Sequence, residues 1–256
     1  MKNKSIYYEA KEAFLETQES GFITFESNLS YLQELNDLVQ KPFRLAILYG
    51  PPGVGKTFLL RHFTKTTEQK NIHLLTSPLT FEKDIKKSLG IQKDTDLLEK
   101  IEELDEHHIF LLDEAQLYTR ETLEIIRILS DTQKLSFLLS LHHNEEEELT
   151  AKEHFKSRIF KEIKMQEPKL PEFQIYIQKK LLNARLVDLA QRFDQKRSSF
   201  IYRYTKGNFR QTNKFLYNLF DILEFYDIHH PTKVQSKKIQ KKFLEMCAIY
   251  MGYIDA

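Results

Sequence analysis

The sequence predicts an α/β protein with three α/β/α layers around a five-stranded parallel sheet, followed by a small all-helical domain. Four short apolar runs and a fifth segment of alternating polarity lie between helical patterns in residues 1–167, and a glycine-rich turn joins the first run to a helix. Residues 168–256 show only helical patterns. We therefore expect an α/β domain at 1–167, including an N-terminal helical segment, and a helical domain at 168–256.

Composition indicates a compact protein of a reducing compartment. Of the 256 residues, 41% are hydrophobic, and 19 Phe and 12 Tyr supply material for a sizeable core. The single cysteine, Cys247, excludes an intrachain disulfide. The N-terminal residues lack the apolar region of a signal peptide, and no apolar run approaches the ~18 residues of a spanning helix. We expect a cytoplasmic location, with any membrane association peripheral, at the inner face.

The first predicted strand, residues 44–49, leads into a phosphate-binding loop. Gly50-Pro-Pro-Gly-Val-Gly-Lys-Thr57 has the form G-x-x-x-x-G-K-T, and a helix pattern follows it to about Lys70. Glycines let successive backbone N–H groups point inward, Lys56 supplies a positive charge, and the Thr57 hydroxyl is suited to bind Mg²⁺. The predicted nucleotide-binding residues here are Gly50, Pro51, Pro52, Gly53, Val54, Gly55, Lys56, Thr57 and Phe58.

A second strand is predicted at 71–76, and a third at 108–112 is apolar throughout, as for a strand buried on both faces. Helix patterns lie between them, with Phe81 and Ile85 on one face. The third strand ends in Asp113-Glu114. We expect Asp113 to hold Mg²⁺ and Glu114 to polarise the water that attacks the γ-phosphate.

The fourth strand, 135–141, follows another helix and ends in His142-His-Asn144. A polar residue here would lie near the γ-phosphate; His142, Asn144 and Ser140 are all candidates, and the sequence does not choose among them. Arg158 precedes the fifth strand, 161–165. Pro168 and Pro171 then mark a hinge before the helical domain.

These motifs, in this order, resemble the AAA+ ATPases over roughly residues 25–225, so the predicted fold is a P-loop NTPase with an AAA+ core and a helical lid domain. Leu111-Leu-Asp-Glu-Ala-Gln116 and Gly207-Asn-Phe-Arg-Gln-Thr-Asn213 are most similar to one branch. That branch includes general secretion pathway protein A, transposition helper ATPases, and the origin-recognition and helicase-loading ATPases. The absence of a guanine-reading N-K-x-D motif favours ATP over GTP.

The resemblance implies further roles. Arg210 matches the lid arginine called sensor 2, which contacts the γ-phosphate in the same chain. Arg158 matches the arginine finger, which acts on the ATP of a neighbouring subunit. The implied cofactors are ATP and Mg²⁺, and the implied assembly is a homo-oligomer with ATP at subunit interfaces.

Charge suggests a partner. Residues 1–150 hold 17 Lys+Arg and 26 Asp+Glu, a net charge of −9, whereas residues 151–256 hold 21 and 11, a net charge of +10. A basic half favours an anionic partner or the acidic front half of a neighbouring copy, and for the first case we predict a DNA-binding helix face. Its residues are Lys237, Lys238, Lys241 and Lys242.

Three functional hypotheses follow. The first is an ATPase that hydrolyses ATP to remodel, load or regulate a partner in transposition, replication or DNA uptake. The second is an accessory ATPase of a membrane-associated secretion or competence apparatus, docked on a membrane protein partner. The third is a nucleotide-gated binding switch with negligible turnover.

Overall fold

The computed structural model describes residues 5–15, 21–143, 153–234 and 238–255. The chain divides into two compact units. We call Asn28–Gln166 the α/β unit, and Met1–Ser27 together with Glu167–Ala256 the helical unit. The helices are α1 Ile6–Glu12, α2 Glu26–Val39, α3 Lys56–Thr66, α4 Phe81–Ser88, α5 Leu97–Glu102, α6 Arg120–Asp131, α7 Glu153–Lys156, α8 Leu170–Asn183, α9 Val187–Gln191, α10 Gln195–Thr205, α11 Phe209–His229 and α12 Lys241–Tyr250.

The α/β unit is built on a five-stranded sheet in which every pairing is parallel. This confirms the predicted fold class. The spatial order is β2-β3-β4-β1-β5, so β1 lies between β4 and β5. The strands are β1 Leu45–Tyr49, β2 Ile72–Leu75, β3 His108–Leu112, β4 Leu135–Leu141 and β5 Ile159–Lys164.

Apolar residues on both faces explain why the central strands occupy the middle of the sheet. All seven positions of β4 are buried, and side chains from both faces of β1 and β3 lie in the core. Ile126 and Leu129 of α6 join Phe110 and Phe137 in the same apolar cluster. A strand of this composition is stable only when helices cover both faces, as in a three-layer protein.

The helical unit takes in the N-terminal segment, which was predicted to belong to the α/β domain. Tyr7, Ala10 and Phe14 are buried in the core of this unit, and the Phe14 ring stacks on Phe220 of α11 at 5.7 Å. The Lys11 ammonium lies 2.7 Å from Asp221 Oδ1 and 2.8 Å from Glu224 Oε2, also in α11. The apolar face of α1 is thus buried against a helix made some 200 residues later.

Among the described residues, no helix is long and apolar enough to cross a membrane.

Candidate nucleotide site

Three strands bring the predicted site residues to one edge of the sheet. Leu48 of β1 pairs with Ser140 of β4, and Leu112 of β3 pairs with Leu139. Because parallel strands end at the same edge, the loop after β1 and the residues after β3 and β4 are neighbours there. This is the usual place for a ligand in an open parallel sheet.

The loop Gly50–Thr57 is shaped by its glycines. A side chain at Gly50 would place its Cβ only 2.4 Å from the backbone oxygen of Met165, so no other residue fits without moving the end of β5. Gly55 has φ 100°, a conformation that residues with a side chain rarely adopt. The loop therefore curls tightly and enters α3 at Lys56.

Lys56 is buried, with 7% of its surface exposed. Its Nζ donates to the carbonyl oxygens of Gly50 at 2.7 Å and Pro51 at 3.1 Å. The loop thus folds over its own lysine, which fixes the ammonium beneath the turn rather than leaving it in solvent. Thr57 is the second residue of α3, at the positive end of the helix dipole.

Asp113 lies directly after β3 and is 3% exposed. Its Oδ1 accepts hydrogen bonds from the backbone N–H of Glu114 at 3.1 Å and from the Ser140 hydroxyl at 3.2 Å. No cationic side chain pairs with Asp113 among the residues the structure describes. A buried carboxylate without a cationic partner is costly, and a divalent cation would supply the missing charge.

Glu114 is held differently from Asp113. Its backbone has φ 50°, in the left-handed region, and this turns the side chain out of the strand direction. Gln116 Nε2 donates to Glu114 Oε2, and His142 Nε2 lies 3.7 Å from the same oxygen. Two polar side chains thus converge on the carboxylate predicted to activate water.

These residues fit Mg²⁺ and a nucleoside triphosphate. A buried carboxylate with a hydroxyl donor, a lysine under a glycine turn and a helix start are the group types that such a ligand needs. Bound Mg²⁺ would neutralise phosphate charge and act as a Lewis acid. Asp113 and Thr57 would hold the ion, Lys56 would bind phosphate oxygens, and Glu114 would orient the attacking water.

Two of the three polar candidates at the end of β4 lie among the described residues. Ser140 contacts Asp113 and His142 lies beside Glu114, so both candidates belong to the site. Asn144, the remaining candidate, lies outside the described residues. Their roles toward a nucleotide stay predictions.

Arg158 lies at the opposite end of the strands from the nucleotide loop, where β1 and β5 begin. Its carbonyl accepts from the N–H of Leu45, the first residue of β1, at 3.3 Å. Its guanidinium binds Asp131 with two hydrogen bonds of 2.8 Å. This position excludes action on the nucleotide of its own chain, whereas action on a neighbour's nucleotide remains a prediction. Arg210 is exposed, at the second position of α11 in the helical unit, and its sensing role likewise stays a prediction.

The predicted lysine face is corrected by the structure. Lys238 precedes α12, which begins at Lys241, so Lys238 and Lys242 do not share a helix face. The helix starts late because Ile239 is buried in the core and Gln240 has extended backbone dihedrals. Lys241 pairs with Glu245 at 2.5 Å, and Lys242 lies over the Phe243 ring at 4.9 Å. Lys237 lies outside the described residues.

Sequence reasoning missed Gln116 and Tyr118. Gln116 stands two residues after Glu114, and that spacing was the available signal. Tyr118 is buried, and its hydroxyl has no hydrogen-bond partner among the described residues. Burial, and then the charges of Asp84 and Asp113, raise the pKa of Tyr118, so this side chain stays neutral beside the acidic groups.

Sheet order, glycine loop and paired acidic residues define a protein of the P-loop NTPase fold. Residues 40–149 match the model of a family described as AAA domain. The match lies within the α/β unit, whose fold is that of AAA+ proteins of known structure. This confirms the resemblance stated from the sequence.

Solved structures show the same fold at low identity. Cdc6p from Pyrobaculum aerophilum is 13% identical, with a TM-score of 0.65 over 94% of this chain and 70% of its own. The Aeropyrum pernix ORC1 protein in complex with DNA is 14% identical, with a TM-score of 0.61 over 94% and 69%. Domain III of the Thermotoga maritima replication initiation protein DnaA is 18% identical, with a TM-score of 0.57 over 97% and 98%. No curated protein matches this chain.

Proposed function

We propose that this protein binds ATP with Mg²⁺ and hydrolyses it, and that the cycle remodels, loads or regulates a partner in a DNA-related process. The observation that carries the proposal is the arrangement at one sheet edge. Asp113 is buried beside the Ser140 hydroxyl, Lys56 lies beneath the loop, and Glu114 is the next residue after Asp113. A binding protein without turnover has no need for the second carboxylate.

The chemistry assigns a task to each side chain. Lys56 binds phosphate oxygens as a point charge, and Thr57 with Asp113 holds the metal. Glu114 accepts a hydrogen bond from the attacking water and so raises its nucleophilicity. His142 Nε2 lies 3.7 Å from Glu114 Oε2, close enough to interact with the charge on that carboxylate.

Hydrolysis is tested with purified protein by measuring phosphate release against ATP and Mg²⁺ concentration. We expect Glu114→Gln to bind ATP and to lose at least about 100-fold in turnover, because the amide cannot act as the base. Lys56→Ala removes binding itself, whereas Lys65→Ala, an exposed lysine of the same helix, is the matched control. Equal turnover of wild type and Glu114→Gln would contradict the proposal.

The DNA-related role is supported by charge and by the proteins of similar structure. Residues 151–256 carry a net charge of +10. Among the similar structures, the ORC1 protein is in complex with DNA, and DnaA is a replication initiation protein. ATP-trapped Glu114→Gln protein, used for affinity capture, would identify the co-purifying partner. Capture of membrane secretion proteins and no DNA-metabolism protein would favour the secretion hypothesis instead.

A switch with negligible turnover is the second candidate. The contact between Gln116 Nε2 and Glu114 Oε2 favours it, because a carboxylate oxygen engaged by an amide is less available to water. Single-turnover kinetics separate the two. If bound ATP dissociates faster than it is hydrolysed, the protein acts as a switch.

A further inference from the structure

The helical unit contains a groove of about 530 Å³ that the nucleotide site does not use. It lies between α10 and α12, and Ile254 also lines it. This volume falls in the range of ~300–1,000 Å³ found for ligand sites in proteins.

Four cations line this groove: Lys196, Arg197, Arg203 and Lys241. Glu245 is the single acidic lining residue, and it pairs with Lys241 at 2.5 Å. Arg197 is held by Asp194 at 2.9 Å and by the carbonyl of Ile239 at 3.1 Å. Lys196 and Arg203 make no ion pair within the described part of the chain. The groove therefore carries excess positive charge.

The two free cations are spaced along the groove. Lys196 and Arg203 are seven residues apart in α10, which places them two turns, or about 10 Å, apart along one helix face. Lys241 stands across from them on α12. A compact anion would meet one of the two free charges, whereas an extended chain of charges would meet both.

The same helices begin with basic residues. The first turn of α12 has Lys241 and Lys242, and that of α10 has Lys196 and Arg197, with no acidic residue in either turn. Cations at the positive end of a helix dipole are unfavourable unless an anion lies nearby. The Asp194 cap offsets this in α10, and α12 has no such cap.

The aromatic rings of the groove indicate which class of anionic polymer it binds. Phe200 and Tyr204 line the groove between the cations. Tyr204 stacks on Tyr253 at 5.6 Å and 15°, which fixes its ring, and Phe200 is tilted against it at 5.3 Å. Rings between cations suit bases that alternate with phosphates. An acidic peptide offers no flat π-face, and bases within a duplex are already stacked on one another.

We propose that this groove binds a segment of single-stranded nucleic acid. Phosphates lie on Lys196 and Arg203, and one base packs against Phe200. This inference rests on the proposed function, which it deepens by naming the polymer and the surface that takes it.

The test uses the full chain and a labelled oligothymidylate of about 16 nucleotides, with affinity followed by fluorescence anisotropy at several salt concentrations. For Lys196→Gln/Arg203→Gln we expect about ten-fold weaker binding and a salt slope shallower by about 1.4, since two phosphate contacts are lost. The matched control, Lys214→Gln/Lys93→Gln, removes the same charge at exposed positions elsewhere and should bind as wild type.

Phe200→Leu tests the base contact separately from charge. It keeps apolar bulk in the groove, and we expect about ten-fold weaker binding with an unchanged salt slope. Circular dichroism and thermal unfolding of each variant, compared with the control, confirm that the helical unit is folded.

Several results would overturn the inference. They are unchanged affinity in both groove variants, tighter binding of a duplex of equal length, or equal binding of polyglutamate with no effect of Phe200→Leu. ATP binding to the same preparations reports on the proposed function alone. A wild type that binds the oligonucleotide and not ATP would remove the proposed function and leave the groove assignment standing.

Discussion

Arg158 and Asp131 form a bidentate ion pair. Arg158 Nε donates to Asp131 Oδ1 and a terminal guanidinium nitrogen donates to Asp131 Oδ2, both at 2.8 Å. Arg44 and Arg127 reach the same carboxylate at 3.4 Å each. Three arginines thus contact the Asp131 carboxylate, where α6 ends and β1 and β5 begin. If Arg158 serves a neighbouring subunit, it must leave this partner when subunits assemble.

We expect Arg158→Gln to bind ATP and to lose turnover, because its role toward a neighbour is in the transition state. Mixing Arg158→Gln chains with Glu114→Gln chains should then restore part of the activity, since some interfaces combine one intact Glu114 with one intact Arg158. Phosphate release against mixing ratio measures this. Arg127→Gln, which alters the same cluster, is the control.

The alternative is a purely structural Arg158. In that case mixing restores nothing, and Arg158→Gln lowers stability as much as Asp131→Asn does, by about 1 kcal/mol for a partly exposed pair. The Arg158 hydrogen bonds lower the pKa of Asp131 from its ordinary value of 3.8. A lowered pKa in the folded state gives stability above that pH, which is lost as pH falls through the folded value. Urea unfolding of wild type and Asp131→Asn should therefore converge as pH falls further below 3.8.

Gln116 should restrain hydrolysis through its contact with Glu114. We expect Gln116→Ala to raise turnover up to about ten-fold, because one hydrogen bond to the charged oxygen is removed. Steady-state phosphate release measures this, and Gln92→Ala, at an exposed loop position, is the control. A fall in turnover on Gln116→Ala would instead mean that Gln116 orients Glu114 productively.

Ser140 should act through the metal. Ser140→Ala removes the hydroxyl that donates to Asp113 Oδ1, and loss of such an outer partner typically weakens metal binding about ten-fold or more. We expect the Mg²⁺ concentration for half-maximal hydrolysis to rise by that factor. Ser136→Ala, on the same strand, removes a buried hydroxyl that donates to the carbonyl of Phe43 and is a matched control. Equal Mg²⁺ dependence in the two variants would contradict this role.

Two histidines should make stability depend on pH. His73 Nε2 and His108 Nδ1 lie 3.1 Å apart on β2 and β3, and Phe110 stacks on His73. Burial lowers the pKa of both, with smaller effects from His108 on His73 and from Glu106 and His107 on His108. The unfolded chain therefore takes up protons first as pH falls below 6.5, and stability decreases.

The slope has an upper bound of about 1.4 kcal/mol per pH unit for each histidine, reduced by solvent screening because both are partly exposed. Urea unfolding between about pH 7 and pH 5 measures it. His73→Gln/His108→Gln should flatten the curve, whereas His229→Gln, an exposed histidine of α11, should not. An unchanged slope in the double variant would show that other groups control this range.

The nucleotide loop and the acidic pair could be predicted because their signals are local. A strand, a turn and a helix in sequence place Gly50–Thr57, and the end of a buried strand places Asp113. The partners of these residues come from elsewhere: Ser140 reaches Asp113 from β4, and Met165 closes on Gly50 from the end of β5. Such contacts depend on strand order, which no single stretch of sequence encodes.

Two other differences between the predictions from sequence and the structure have one cause, which is tertiary packing. The apolar face of α1 predicted a helix and not its partner, because any apolar helix face satisfies the same pattern. The lysines before Lys241 fit a helical spacing, yet Ile239 is buried in an extended segment, and tertiary packing overrides local propensity there.

Because the helical unit joins Met1–Ser27 to Glu167–Ala256, its two parts are separated in the chain by the whole α/β unit. The intervening Asn28–Gln166 is synthesised before α11, so it can fold while α1 still lacks its partner. The apolar residues Tyr7, Ala10 and Phe14 stay uncovered throughout that interval. A nascent chain stalled before residue 209 therefore exposes the apolar face of α1, which is the kind of surface that chaperones bind.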